Sequence, residues 1–439
     1  MTKLAITAMI LGALLAFVGA SFGGGEACRR AAAERFVVHE WGTFTSLQGS
    51  DGVSLEGLEH EEESLPDFVY DRAKIRECPL RAVGWKGLEQ PVDGVTQKME
   101  TPVIYFHSPT ARRVRVRVDF KDGLISQWYP VTDLLGPPEG KREDGPLDMA
   151  KIDRSFLEWE VDVLAPDAAE PSEVPKLAGK DDPWLFAREV AANWLRTAPR
   201  HTPERAGPVE AERYLFYRGL GRFTLPVEVR AESDGKGTLI NSKNAYPLTG
   251  VIALEVRGDR GRIQFIDTVP AKGVVSFAHG GADYWGPISE VSEKLAALLH
   301  NLLTQQGLNS DEARAMVRTW SRSWFTNEGS RLLYIVPRPL VDEMLPLSIT
   351  PPPAETVRVL LGRLEYLTPE VEAEVEQALI ARTTGEAAGR GVADERLARL
   401  GRFLEPHLRR TLAHSRNVDA RANALALLTE LEKEARPRP

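Results

Sequence analysis

The chain has 439 residues, with 55 Lys and Arg against 63 Asp and Glu, a formal net charge of −8. That acidic balance excludes a broadly basic surface of the kind that binds nucleic acid or anionic membranes. With 43% hydrophobic residues and nine Trp, the chain can fill a packed core, and its length allows two or three domains.

Lys3 precedes an uncharged, apolar run over residues 4–20 that ends in Val18-Gly19-Ala20. This is the layout of a cleaved signal peptide over residues 1–20, with a retained membrane anchor as the alternative. No second long apolar run follows, so the mature chain is expected to be soluble, without a transmembrane span, and periplasmic or extracellular. Cys28 and Cys78 are the only cysteines. In an oxidising compartment they read most simply as one disulfide, with two free thiols or a two-Cys metal site as alternatives. Closing a loop of about 50 residues would stabilise the fold by roughly 4 kcal/mol.

From residue 101 to 269 the hydrophobic period is two. Val114, Val116, Val118 and Phe120 alternate with Arg113, Arg115, Arg117 and Asp119, and Trp159, Val161 and Val163 alternate with Glu158, Glu160 and Asp162. Leu225, Val227 and Val229, then Ile252, Leu254 and Val256, repeat the pattern, with turn residues such as Lys121-Asp122-Gly123 between the runs. Half-buried antiparallel strands look like this, and several of them in succession predict a β-sandwich. One helix is expected inside this region, at 183–198, with Asp182 as its N-cap, Pro183 at its first position, and Trp184 and Trp194 on one face.

After Trp285 the period becomes helical. Val291, Leu295, Leu299 and Leu302 form one stripe. Asn309 with Glu312 resembles a capping box that opens a helix carrying Ala313, Val317, Trp320 and Trp324. Strands are expected at 331–336 and 357–361, and helices again from Thr368-Pro369 onward. The predicted class is α+β, an antiparallel β-sandwich core followed by a mostly helical C-terminal region. The expected division is a β-rich unit at 21–285, a mixed helix and strand region at 286–366 packed on it, and helices at 367–439.

The chain contains no G-x-S-x-G, H-E-x-x-H, P-loop or C-x-x-C motif, which removes the readily legible enzyme classes. Polar candidates remain. His39-Glu40-Trp41-Gly42 follows an apolar run, and the run from Glu59 through His60 and Glu61 to Glu63 follows a glycine-rich loop. His107 ends a strand-like segment. Three imidazoles, His39, His60 and His107, would make a site for a divalent metal such as zinc, with Glu40 or Glu61 as general base. His39 and Glu40 alternate along a strand, so both would reach one metal only if the strand bends at Gly42. In Tyr214-Leu215-Phe216-Tyr217-Arg218-Gly219, Arg218 would be a forked donor to a carboxylate, phosphate or sugar, and Tyr217 a stacking platform. His279, before Gly280-Gly281, would line a cleft at the junction between strands and helices. For each of these, an ordinary structural role competes with the functional one.

The strings VHEWGTFTS, KMETPVIYFHS, YLFYRGLGRFTLPVEVR and TWSRSWFTNEGSRLLYIVPRPLVDEMLPL resemble those of an uncharacterised family of predicted exported bacterial proteins, over residues 37–366. The resemblance implies export and attaches no activity, cofactor or site residue. The expectation is therefore an exported binding or cell-envelope component. A metal-dependent hydrolase with the His/Glu set above is the first alternative. A carbohydrate-binding protein with Trp41, Trp85, Trp128 or Tyr217 exposed in a row is the second. Nucleic acid is not an expected partner, and an envelope component or a glycan is.

Overall fold

The computed structural model describes residues 35–60, 65–72, 92–136, 147–177, 179, 181–198, 208–233, 235–241, 245–278, 285–384 and 387–434. The expected signal peptide, Cys28, Cys78, Glu61, Trp85 and His279 lie outside them.

The fold is α+β, and its centre is a ten-stranded sheet. In spatial order this sheet contains β18 (Gly286–Pro287), β16 (Arg260–Val269), β15 (Leu248–Arg257), β19 (Gly329–Ile335), β21 (Glu355–Tyr366), β1 (Val37–Gln48), β4 (Gln97–His107), β12 (Tyr214–Gly221), β6 (Gly123–Tyr129) and β2 (Tyr70–Asp71). A six-stranded sheet packs on one face. It holds β11 (Ala211–Glu212), β10 (Leu195–Thr197), β9 (Arg154–Val163), β5 (Arg112–Lys121) and β20 (Leu347–Thr350), with β7 (Leu134–Gly136) beside β9. Two small sheets complete the β-structure: β13 (Glu228–Ala231), β14 (Lys236–Ile240) and β17 (Val274–Ala278), and the pair β3 (Val92–Asp93) and β8 (Leu147–Asp148).

The alternation in β5 and β9 builds the sandwich. Val114, Val116, Val118, Trp159 and Val161 are fully buried against Val38, Ile104, Phe106 and Tyr217 of the large sheet. On the outer face the arginine stripe pairs with the acids of β9, as in Arg113–Asp162 at 2.8 Å and Arg115–Glu160 at 3.3 Å. These ion pairs are largely exposed and contribute little to stability.

Helices cover the opposite face of the large sheet. These are α1 (Pro183–Arg188), α2 (Ile288–Gln305) and α3 (Ser310–Trp320), which bury Leu295, Leu299, Met316 and Trp320 against Trp41, Tyr105, Leu254 and Leu361. Because both faces are covered, every residue of β1 is buried, which explains why β1 shows no clean alternation. The remaining helices are α4 (Arg338–Met344), α5 (Pro369–Thr384), α6 (Ala387–Ala398), α7 (Leu404–His414) and α8 (Val418–Glu434). The last four share a core of Val375, Leu379, Leu397, Leu408, Ala424 and Leu428. No helix among the described residues is long and apolar enough to cross a membrane.

Two expectations are corrected. The strands at Gly329–Ile335 and Glu355–Tyr366 lie in the middle of the large sheet, not on it, because β21 pairs in parallel with β1 over its whole length, from Val37↔Glu355 to Gln48↔Tyr366. The inserted helix begins as predicted, with the Asp182 side chain accepting from Trp184 N at 2.9 Å and Pro183 at its first position, but it ends at Arg188. Asn193 then ties the chain to Ser108 and Leu164, and Leu195–Thr197 pair with β9. Strand pairing overrides helix propensity there. Trp194 consequently leaves Trp184 and packs with Val174 and Ala211, beneath the Arg213 guanidinium.

Candidate functional site

The pairing of β1 with β4 slips at Gly42. A Cβ on Gly42 would lie 2.8 Å from Pro102 Cα, so only glycine allows the strands to approach this closely. On the other side of the bulge Thr101 has φ 48, a left-handed conformation rare for a β-branched residue. Its hydroxyl is buried and has no partner among the described residues. Strain of this kind persists where the surroundings over-determine it, and it gathers at functional sites.

Thr101 stands in the wall of a pocket between the bulge, α1 and the end of α3. Trp41, Trp184, Phe216 and Trp320 supply aromatic surface, and Glu100 and Arg218 supply charge. The cavity volume is about 60 Å³, room for a few waters or one small polar group. The indole N–H of Trp320 also has no acceptor among the described residues.

The charged lining combines Arg218 with two acids, Glu100 and Asp182. Thr45 donates to Glu100 Oε2 at 3.0 Å, and Arg402 donates to Oε1. Burial pushes the Glu100 carboxyl up, but Arg402, Lys98, Arg218 and Arg363 outweigh it and hold the group down at about 2. Glu100 therefore remains an anion among several positive charges. Arg218, which the sequence suggested as a clamp, reaches this pocket while only 5% exposed.

His39 and His107 come together without His60. They sit diagonally on one face of β1 and β4, because Val37 pairs with His107 and His39 with Tyr105. Their ring centroids are 4.9 Å apart. Between them lies Glu312, whose Oε2 is 2.7 Å from His39 Nδ1 and whose Oε1 is 2.9 Å from His107 Nε2. Oε2 also accepts from Asn309 N at 2.7 Å, completing the predicted capping box of α3. Burial raises the Glu312 carboxyl, but the hydrogen bonds from both histidines prevail and keep it at about 2. His39, His107 and Glu312 could hold a metal ion, although their mutual hydrogen bonds already satisfy the carboxylate.

His60 belongs to a second group, with Glu59 and Glu405. The three-histidine metal set therefore does not form: β1 and β4 hold two of its members, while the loop after β1 carries the third to α7.

Glu40 is corrected as a general base. It points to the opposite face of β1 from His39, is fully buried, accepts from Tyr217 Oη and from Arg358 Nε, each at 2.5 Å, and has no route to a substrate. Tyr217 is corrected as a stacking platform for the same reason, since it lies wholly inside the sandwich. Trp41 and Trp128 are buried as well, so the exposed aromatic row that a sugar would need is absent among the described residues.

Glu312, Glu405, Thr101 and Trp320 were not singled out for chemistry. For Glu312 the capping box was a visible signal, read only as a helix start. For Thr101 the signal was Thr-Pro opposite a strand glycine.

No protein-family pattern matches the chain, and no curated protein sequence matches it. Among solved structures, the chain is similar to the Fcho1 mu homology domain of Danio rerio with bound Eps15 peptide. That similarity has 7% identity, covers 76% of this chain and 94% of that one, and has a TM-score of 0.23, too low to carry an argument about fold or function.

Proposed function

We propose that this chain is an exported binding protein that takes up a small carboxylate, with the acid group in the pocket beside Arg218 and a body of two or three carbons against Trp41, Trp184 and Trp320. The observation that carries this reading is Thr101. A β-branched residue is held in a strained conformation with a buried, unpartnered hydroxyl in the wall of an aromatic pocket. A ligand oxygen would satisfy that hydroxyl and the Trp320 N–H together, and unmet buried polar groups cost about 1–3 kcal/mol each. Arg218 stands in the lining and supplies a guanidinium donor of the kind that recognises a carboxylate. A periplasmic or extracellular setting is supported by the uncharged run over residues 4–20 and the small-residue Val18-Gly19-Ala20 that ends it. A hydrolase reading has less support, because Glu40 is sealed in the core and the three histidines divide between two places.

The test is tryptophan fluorescence and calorimetry with acetate and propionate, using acetamide and ethanol as uncharged controls. Binding of the acids alone, weakened at least tenfold by Arg218→Gln and by Trp320→Ala, supports the reading. Equal binding of the uncharged controls, or of the acids by Arg218→Gln, would sink it.

A further inference from the structure

We infer that Glu59, His60 and Glu405 form a binding site for one divalent transition metal, zinc being the natural probe, which fastens the loop after β1 to helix α7. This rests on different residues from the pocket and stands or falls without it.

Glu59 and His60 lie in the loop that leaves β1, and Glu405 sits in the first turn of α7. One ligand atom from each lies within 4.8 Å of the others. His60 Nε2 is 2.8 Å from Glu405 Oε2. The other oxygen of Glu405 is taken by Arg409 at 2.7 Å, which leaves Oε2 turned toward His60. The remaining carboxylate is in a different position: Glu59 Oε2 is buried and has no hydrogen-bond partner among the described residues. A buried carboxylate oxygen next to a second carboxylate needs a proton or a cation.

The backbone around the site is built for this approach. Gly57 has φ +99, and a Cβ there would stand 2.8 Å from Glu405 Cγ, so the loop meets the helix only because residue 57 is glycine. Lys98 Nζ donates to the main-chain oxygens of Glu59 at 3.0 Å and His60 at 2.6 Å, fixing the loop from below. Two carboxylates offset the charge of a divalent ion, and one imidazole biases the choice toward zinc and its neighbours over calcium or magnesium. The His60 side chain is 33% exposed, which gives an ion and its completing waters a way in. The Arg409 and Lys98 charges oppose a cation, so the proposed site is a moderate binder.

The full chain, purified without chelator or His-tag and then stripped with EDTA, would be titrated with zinc by calorimetry, its metal content measured and its melting followed. One zinc per chain is expected, with a rise in Tm. Glu59→Gln and His60→Gln should each weaken zinc at least about 100-fold, while His39→Gln leaves it unchanged. Glu59→Gln carries a second readout that does not depend on binding. Because it removes a like charge, the metal-free variant should melt higher than the metal-free parent, and zinc should no longer raise its Tm. Absence of zinc binding, zinc retained by Glu59→Gln, or zinc lost in His39→Gln would each overturn the assignment. The first would leave Glu59 to a proton, and the last would move the metal to Glu312.

Discussion

Glu40 and Arg358 are direct register partners across the parallel junction of β1 and β21, and Arg358 Nε donates to Glu40 Oε2 at 2.5 Å although 318 residues separate them. Both side chains are buried, and Arg358 also reaches Asp342 Oδ1 at 2.8 Å. This pair therefore locks the seam of the large sheet from the sandwich side. Glu40→Ala should cost about 3–5 kcal/mol, because it strands the Arg358 charge in the core. Tyr217→Phe should cost only about 1 kcal/mol. Urea unfolding of the two variants measures this directly, and a Glu40→Ala loss no larger than that of Tyr217→Phe would contradict it.

Glu312 supplies an acid limb. Its carboxyl lies at about 2 in the fold against an ordinary value of 4.5, so the unfolded chain binds the proton first as pH falls. The stabilisation is complete above about pH 4.5 and is lost as pH drops toward 2, on the order of 3 kcal/mol in all. Glu312→Gln should be less stable than the parent at neutral pH, and the gap should narrow between pH 4.5 and 2. Denaturation midpoints at several pH values read the slope.

His407 acts in a higher window. It is 5% exposed, and burial followed by the Arg396 charge pushes its imidazole down to about 4 from 6.5. Its neutral form belongs to the fold, so stability is complete above pH 6.5 and declines as pH falls toward 4. Helicity followed at 222 nm should show α5–α8 loosening near pH 5 in the parent, by about 2 kcal/mol. His407→Leu should remove that dependence, and an unchanged profile in the variant would refute the assignment.

Thr101 predicts a trade between stability and binding. Glycine accepts φ 48 without strain, so Thr101→Gly should stabilise the protein by about 1 kcal/mol. The same change removes the hydroxyl from the pocket and should weaken acetate and propionate. A variant that is more stable and binds as well as the parent would leave the strain without a binding role.

Much of the architecture was legible where one face of an element meets water. β5 and β9 alternate because their outer face is solvated, and α2 and α3 show stripes because they lie on the sheet. β1 was recognised only as an apolar run, since both of its faces are covered. The candidate sites were legible by halves. His39 and His107 could be named, yet their meeting depends on strand register, and the acid between them comes from a helix 273 residues away from His39. His60 was grouped with the wrong partners because Glu405, 345 residues later, is brought to it by packing that no local pattern encodes.

The parallel seam also governs the order in which the molecule can assemble. Strands from residues 37–221 form one half of the large sheet and strands from 248–366 the other, and β1 and β21 are the edges that meet. A chain made from its N-terminus presents β1, twelve residues long and buried along its whole length in the finished fold, long before β21 exists. Until residue 366 has emerged, that edge is open to any other strand, including the β1 of a neighbouring copy. Ribosome-bound or truncated chains ending before residue 355 should therefore aggregate through β1 even when their own half of the sheet is formed, and a sequence-matched β1 peptide added in excess should slow refolding of the intact chain.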